Sequence, residues 1–430
     1  MRSSASKLLI PAARASSVYA FALVFAMASN GFVYGEDEQT ATAEPTPEVA
    51  VDSEQIRAIR SAVEITESGS GAYAAELPEQ LLSMGLALQR EGRHTDAANA
   101  FKRGSHLARI NNGLYSAQQI PFLEREITSH IALGELIEAD EGQSRLYRVQ
   151  QRSLTNNEQL ITALLQQADW QRKAYQLGIG GKEMSFSHLL NMWSLNRMAL
   201  TKLIETDGNK SPSLLPPLYA MLQAQYLISS HNNHTESSKY NFSAGGGSRQ
   251  SQSRFNNYLA KSYDMGRSII TAVRDIQVSR YGEKSLPAIE ARILLGDWML
   301  WHGARDPALA SYTFAFGELA ELDDAQVETQ KLLGEPVPLP DFDGVRSPLR
   351  QASVNEGNIL VEFGVNARGQ VVDLSRIRED SNAELELDEA TQGEANRLLR
   401  ALRKTTFRPS FANGQPTSTE NIVKAYAIPK

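Results

Sequence analysis

The stretch LLSMGLALQREGRHTDAANAFKRG, residues Leu81–Gly104, decides the fold of the longer part of the chain. Gly85 stands among apolar residues at helical spacing, Gly92 interrupts that spacing, and Ala97 and Phe101 belong to a second helical pattern. A small residue allows two helices to approach closely, and glycine often ends a helix. We therefore predict a helical hairpin in which Gly85 brings the first helix close to the second.

The same spacing occurs again near the end of the helical region. There the residues are Gly296, Gly303, Ala308 and Tyr312, and a weaker copy contains Leu123, Gly134, Ala139 and Leu146. Self-similarity of this kind indicates a helical-repeat protein. These segments resemble the tetratricopeptide repeat (TPR), and the alternative interpretation is an ordinary helical bundle with coincidental glycines.

Helical periodicity extends over residues 53–333, which we predict to be one TPR-like domain. Three helices are expected within its middle part, at 156–176, 186–204 and 214–229. Their aromatic and methionine side chains are expected in the core rather than at a cofactor site; they are Trp170, Tyr175, Trp193 and Met198. A mobile surface loop rich in Ser, Asn and Gly is expected at 230–253. Four prolines at 334–348 predict a stiff linker to a second domain.

The periodicity changes to two in the C-terminal segment, residues 349–430. Alternating apolar residues predict strands at 359–365 and 371–377, an apolar face predicts a helix at 389–404, and a last strand is expected at 422–428. Asn413-Gly414 is a strong turn signal. The β-β-α-β order predicts a small α+β domain, so the fold class is multidomain: an all-α repeat domain followed by an α+β domain.

The C-terminal segment resembles the C-terminal domain of the TonB energy-transducer family over roughly residues 345–430. The matching pieces are the strand at 357–365, Gly369 with Val371, Leu387-Asp388-Glu389-Ala390, Phe407-Arg408-Pro409 and Asn413-Gly414-Gln415-Pro416. In that family the domain lies in the periplasm and captures a peptide segment of an outer-membrane receptor along an exposed strand, which is β-augmentation.

The resemblance implies that the last strand is the peptide-binding edge. Its residues are Ile422, Val423, Lys424, Ala425, Tyr426, Ala427 and Ile428. The alternative is an edge covered by the helical domain or by a second copy of the chain. Three features depart from the family. The N-terminal apolar segment lacks a histidine, a helical domain replaces the long Pro-rich spacer, and Ser347-Pro348 stands where the family has an aromatic-proline step.

The N-terminus has the features of a targeting segment. Basic residues precede an apolar run at 18–28, which is too short to cross a bilayer, since that takes ~20 residues. We expect a signal peptide at 1–28 and localisation in the periplasm. The alternative is an uncleaved inner-membrane anchor that extends to about residue 35. A flexible acidic, Thr- and Pro-containing linker is expected at 36–52.

Composition excludes several classes of function. The chain of 430 residues has a formal net charge of −7, which argues against nucleic acid as a partner, and its lack of cysteine excludes disulfides and thiolate chemistry. His231 and His234 lack a nearby third ligand, and the Asp341-Phe342-Asp343-Gly344 segment lacks the remaining oxygen ligands of a calcium loop. We therefore expect no metal, no cofactor and no catalytic residues.

The basic residues near the end of the C-terminal helix allow two interpretations. They are Arg397, Arg400, Arg403, Lys404 and Arg408. Positive charge suits the negative end of a helix dipole, and it also suits an acidic partner or anionic lipid.

The expected function is non-enzymatic binding of partner proteins by both domains. The hypothesis from the family resemblance is energy transduction linked to outer-membrane transport. The alternatives are a soluble periplasmic scaffold without energy coupling and an enzyme with an unrecognised site in the helical domain.

Overall fold

The computed structural model describes residues 52–235, 248–342, 345–346, 351–352, 359–377 and 389–426. The expected signal peptide or anchor and nearly all of the linker at 36–52 lie outside these ranges. The middle of the loop expected at 230–253 also lies outside these ranges. The two ends of that predicted loop, 230–235 and 248–253, are helical in the structure. Among the described helices, none combines the length and the apolar character that crossing a membrane requires.

Helices follow one another from the start of the described chain to Leu333. They are α1 Glu54–Ser70, α2 Leu77–Arg90, α3 His94–Asn112, α4 Ile120–Leu133, α5 Leu136–Ser153, α6 Asn157–Leu177, α7 Gly181–Asp207, α8 Leu215–Thr235, α9 Ser248–Tyr281, α10 Leu286–Trp301, α11 Arg305–Leu319 and α12 Ala325–Leu333. Ser53 caps α1 by accepting a hydrogen bond from the Ile56 amide, and Asn156 caps α6 in the same way.

The glycine–aromatic spacing of the sequence forms the hairpins α2–α3 and α10–α11. A Cβ added at Gly85 would overlap the ring of Phe101, and one added at Gly296 would overlap the ring of Tyr312. The glycine therefore allows the aromatic ring of the second helix to lie directly on the backbone of the first. This confirms the predicted hairpins, and the same packing occurs in two separate copies.

The weaker third copy is the hairpin α4–α5. Gly134 ends α4 in the left-handed conformation with φ of 75°, and Ala139 of α5 is fully buried. Successive hairpins also pack closely, because Gly104 of α3 lies under the ring of Phe122 of α4. The described helices thus form a series of TPR-like hairpins rather than a bundle with coincidental glycines.

The middle of the helical region contains one wrong core prediction. Trp170 and Trp193 are buried as expected, and Tyr175 is partly buried. Met198, however, is 39% exposed. The buried stripe of α7 runs through Leu195 and Ala199, and Met198 lies beside that stripe rather than on it.

The C-terminal region contains one helix and ten strands among the described residues. They are α13 Glu389–Lys404, β1 Val337–Pro338, β2 Asp341–Phe342, β3 Val345–Arg346, β4 Gln351–Ala352, β5 Ile359–Val365, β6 Val371–Ile377, β7 Phe407–Arg408, β8 Ser410–Ala412, β9 Gln415–Thr417 and β10 Thr419–Tyr426. The main sheet has the order β4-β10-β5-β6, and each neighbouring pair is antiparallel. Helix α13 packs Ala395 and Leu402 on one face of it.

The described part of the stretch predicted as a stiff linker, residues 334–342 and 345–346, forms contacts with both parts of the protein. Strand β1 pairs with β7, and β2 pairs with β3 in a small hairpin. Leu339 is buried against the helices, and the ring of Phe342 stacks on Tyr226 with a centroid distance of 5.6 Å. Proline stops a helix as expected here, but the segment packs against its neighbours rather than spacing them apart.

The predicted Asn413-Gly414 turn joins β8 to β9. Both residues have positive φ, 51° and 76°, as the tight hairpin turn requires. The hairpin presents Phe411 to α11, where the ring lies 5.8 Å from that of Tyr312 and 6.5 Å from that of Phe316. The C-terminal part is therefore docked on the last helical hairpin.

His302, at the end of α10, predicts a pH dependence of stability. Its ring lies 4.3 Å from Trp298 and 5.6 Å from Tyr263, and burial lowers its pKa to about 4. Because the unfolded chain takes up this proton at higher pH than the folded chain, the His302 contribution to stability is lost as pH falls from ~6.5 toward 4. Denaturant titrations at several pH values measure the free energy of unfolding. As the pH is lowered over this range, that free energy should decrease less for His302→Phe than for the unaltered protein. An unchanged pH slope in the variant would contradict the assignment.

Candidate functional site

Strand β10 is bordered on one side by β5. The register places Ile422 opposite Phe363 and Tyr426 opposite Ile359. The register shifts between Thr419 and Ile422, which marks a β-bulge. Since a bulge breaks regular pairing and increases the local twist, the straight part of β10 begins at Ile422.

Among the described residues, the other side of β10 is paired at one end of the strand. Strand β4 pairs antiparallel with Ala425 and Tyr426. Beside Ile422, Val423 and Lys424, no second strand pairs on this side within the described ranges. We refer to Ile422–Lys424 as the open edge.

Two residues of the predicted peptide-binding edge at 422–428 are paired on this side in the structure. Ala425 and Tyr426 are covered by β4, so they are not edge residues, while Ala427 and Ile428 lie outside the described residues. Strand β4 could not be predicted from the sequence, because a two-residue strand shows no alternation.

The side chains of the open edge face opposite sides of the sheet. Ile422 and Lys424 lie on the side that packs against α13, since their cross-strand partners Phe363 and Val361 belong to that core. Val423 lies on the opposite side and is 46% exposed.

A groove of ≈ 380 Å³ adjoins the open edge. Ile422 and Lys424 form one wall together with Phe363 and Phe407. The opposite wall comes from the end of α12 and the proline-rich stretch, and its residues are Gln330, Lys331, Glu335, Pro336, Val337 and Pro338. The groove therefore combines apolar surface with two lysines and one glutamate.

A buried ionic cluster next to this groove joins β7 to α10 and β2. Arg408 of β7 donates to Asp297 Oδ2 of α10 over 3.2 Å and to Asp341 Oδ2 of β2 over 3.2 Å. The Tyr312 hydroxyl of α11 donates to Asp297 Oδ1 over 2.8 Å. Arg408 and Asp297 are almost completely buried, whereas Asp341 is exposed.

Burial and charge act in opposite directions within this cluster. Burial raises the pKa of Asp297, and the Arg408 guanidinium and the Tyr312 hydroxyl offset part of that shift. Burial also raises the pKa of Tyr312 well above its usual range, and the neighbouring Asp297 carboxylate adds to the shift. Removal of one charge would leave the other buried without its main partner.

Two positions of the helical repeat differ in residue type between the first and the last copy, and in the last copy both belong to this cluster. In the first copy the residue after Gly85 is Leu86, and Phe101 packs on the glycine. In the last copy the equivalent residues are Asp297 and Tyr312. In place of the apolar pair stand a carboxylate, which accepts from Arg408, and a hydroxyl, which donates to that carboxylate. This difference between the repeat copies is a sequence signal for docking of the C-terminal part, and the predictions from the sequence do not include it.

A second groove, of ≈ 650 Å³, lies within the helical part. It is bordered by the start of α4, the end of α5 and the first half of α6, with Glu124 and several amide side chains in its lining. Burial raises the pKa of Glu124.

The described residues include no group of three or more His, Asp or Glu side chains that is arranged to hold a metal ion. His231 belongs to α8, where its ring packs 5.8 Å from that of Tyr175. The His234 side chain lies outside the described residues.

No protein-family model and no curated protein matches the chain. Among solved structures it is similar to the TPR-like repeats of a Podosopora anserina kinesin light chain at 12% identity, over 57% of this chain and 96% of that chain, with a TM-score of 0.33. A second crystal structure shows the same repeats with one substitution. It is 12% identical over 58% of this chain and 98% of that chain, with a TM-score of 0.33.

The class of the longer part is a TPR-like helical-repeat fold, as its glycine–aromatic hairpins show, and a small β-rich region follows it. Repeat folds of this class commonly bind other proteins.

Proposed function

We propose that the protein is a non-enzymatic adaptor that captures an extended peptide along the open edge of β10. The observation that carries the proposal is the pairing of β4. This strand from the chain itself adds antiparallel to the same side of β10, and its described residues pair with Ala425 and Tyr426. A peptide that continues this line would pair with the remaining open edge.

The groove beside the open edge supports specificity for such a peptide. Side chains alternate between the two faces of an added strand, so every second one would lie on the side of Ile422 and Lys424, where the groove opens. Backbone hydrogen bonds would supply affinity, and the groove would select among side chains. Its lysines and apolar wall favour a peptide that combines apolar and acidic residues.

The resemblance of residues 345–430 to the TonB C-terminal domain supports the same proposal. It makes a segment of an outer-membrane receptor the expected peptide and the periplasm the expected location. The resemblance also supports energy transduction as a second candidate. We favour a scaffold without energy coupling, because Arg408 and Phe411 dock the C-terminal part onto the repeats. The helical surface would then present a second partner beside the captured peptide.

Two proline variants test peptide capture. Successive backbone amides of a strand point to opposite edges of that strand. Of the variants Val423→Pro and Lys424→Pro, one therefore removes an N–H group that points away from β5, toward the open side. The other removes an N–H group that hydrogen-bonds to β5. The probes are overlapping decapeptides from periplasm-facing segments of the host's outer-membrane receptors. We expect the outward variant to stay folded and to lose binding by about tenfold or more, which is the loss expected for one well-made hydrogen bond with some strand distortion.

Val423→Thr is the matched control, because it changes the exposed side chain and keeps the amide. It should bind the peptides like the unaltered protein. Equal affinity in both folded proline variants would contradict capture along β10.

The mass of the mature protein in membrane and soluble fractions tests location and energy coupling. A soluble chain that lacks residues 1–28 or 1–35 is expected for the scaffold. A full-length chain in the membrane fraction would instead support the anchored energy transducer.

A further inference from the structure

A pocket of ≈ 290 Å³ lies where the last helical hairpin, α13 and the β5–β6 turn meet. It is separate from the groove at the open edge, with which it shares no lining residue. Three cationic side chains line it, Arg305 from the start of α11 and Arg403 and Lys404 from the end of α13. Their lining partners are amides, hydroxyls and apolar groups, and the lining contains no carboxylate.

The elements that carry these cations are held by backbone hydrogen bonds. The Phe407 amide donates to the Gly369 carbonyl over 2.8 Å, which ties the end of α13 to the β5–β6 turn. Gly369 has φ of 74°, and a Cβ there would meet the Phe407 carbonyl, so the close approach requires glycine. The Leu339 amide donates to the Thr406 carbonyl over 2.9 Å, which links this corner to the stretch docked on the helices.

Polar groups of the turn are oriented by one another. Asn366 Oδ1 accepts from the amides of Arg368 and Gln370, and Asn366 Nδ2 donates to Gln370 Oε1 over 3.3 Å. Gln370 lines the pocket, and its amide nitrogen is a hydrogen-bond donor. The pocket thus offers hydrogen-bond donors as well as positive charge.

The positive charge of the pocket is not neutralised by ion pairs in the described part of the chain. Arg305, Arg403 and Lys404 have no described carboxylate partner, whereas Arg397 on the same α13 pairs with Glu394 over 2.6 Å. In a chain of formal net charge −7, three cationic residues without a described ion-pair partner meet in one pocket, and they come from two helices far apart in the sequence. A single carboxylate would balance one of them, while a phosphate group carries more charge and several acceptor oxygens.

We infer that this pocket binds a phosphate group, with Arg305, Arg403 and Lys404 as its cationic ligands and Gln370 as an amide donor. A phospholipid headgroup and a soluble phosphorylated molecule share this chemistry. Because the pocket joins the repeats to the C-terminal part, a bound phosphate would hold α11 and α13 together. The inference does not depend on peptide capture by β10.

Calorimetric titration of the full chain with inorganic phosphate, at constant ionic strength, tests the inference. Sedimentation with phosphatidylglycerol vesicles, against phosphatidylcholine vesicles, is the second arm. Arg305→Gln and Arg403→Gln change exposed side chains and should stay folded. We expect each to weaken binding by about tenfold, as for loss of one charged hydrogen bond.

Arg397→Gln is the matched control, since it removes one positive charge from the same helix outside the pocket. It should leave binding unchanged. If the protein binds free phosphate and Arg403→Gln weakens this binding, the ligand is a soluble phosphorylated molecule. If the protein binds only phosphatidylglycerol vesicles and Arg403→Gln weakens this binding, the ligand is a lipid headgroup. Failure to bind either probe, or an equal loss in Arg397→Gln and Arg403→Gln, would overturn the inference.

Discussion

Asp297→Asn is expected to lower the free energy of unfolding by about 3–5 kcal/mol, the usual cost of breaking a buried ion pair by removing one partner. Arg408 would stay buried with only the exposed Asp341 to balance it. Chemical denaturation of the full chain measures the loss. A reduction below ~1 kcal/mol would show that the cluster does not hold the C-terminal part on the repeats.

The control for this prediction lies on the same two helices. Arg292 of α10 and Glu318 of α11 form a bidentate pair, with both contacts at 2.8 Å, that is less buried than the cluster. Glu318→Gln should therefore cost no more than about 1 kcal/mol. The contrast separates an effect of burial from a general effect of charge on these helices.

An apolar replacement of the whole cluster gives a second check. Asp297→Leu and Tyr312→Phe restore the residue types of the first repeat, Leu86 and Phe101, and Arg408→Met removes the matching charge. Replacing all members of a buried ionic group together is often neutral or stabilising. The triple variant should therefore be clearly more stable than Asp297→Asn.

Gly85→Ala is expected to destabilise the protein by about 1–3 kcal/mol, although alanine is the better helix former. The added methyl group would overlap the ring of Phe101, which is completely buried and has little room to move. Thermal or denaturant unfolding measures the change. Adding Phe101→Leu, which removes the ring, should recover part of the loss.

Gly393→Ala is the matched control, because an added Cβ in α13 meets no atom within 4 Å. There the helix preference of alanine should dominate and stabilise the protein by about 0.5–1 kcal/mol. Stabilisation by Gly85→Ala as well would contradict the close packing on which the repeat assignment depends.

The sequence predicted those parts of the fold that have a local pattern. Gly85 with Phe101 and Gly296 with Tyr312 placed two hairpins correctly, and alternation placed β5 and β6 at their observed bounds. Such patterns are visible because each element buries one face and carries the matching periodicity.

Features that depend on tertiary contacts were missed. Strand β4 is two residues long, and β1 pairs with β7 from distant sequence, so neither has a periodic pattern. The edge predicted at 422–428 therefore includes Ala425 and Tyr426, which β4 covers. Asp297 was overlooked because it stands at a repeat position where an apolar residue is expected, although such a departure indicates a special contact.

Hydrogen exchange of the full chain, with and without a saturating receptor decapeptide, tests the central claim most directly. The claim is that a peptide adds to β10 beside β4. The account predicts slower exchange at the outward amide or amides of Ile422–Lys424, with the amides of α4–α6 unchanged. Protection confined to the α4–α6 groove, or absence of binding across the peptide panel, would contradict peptide capture at this edge.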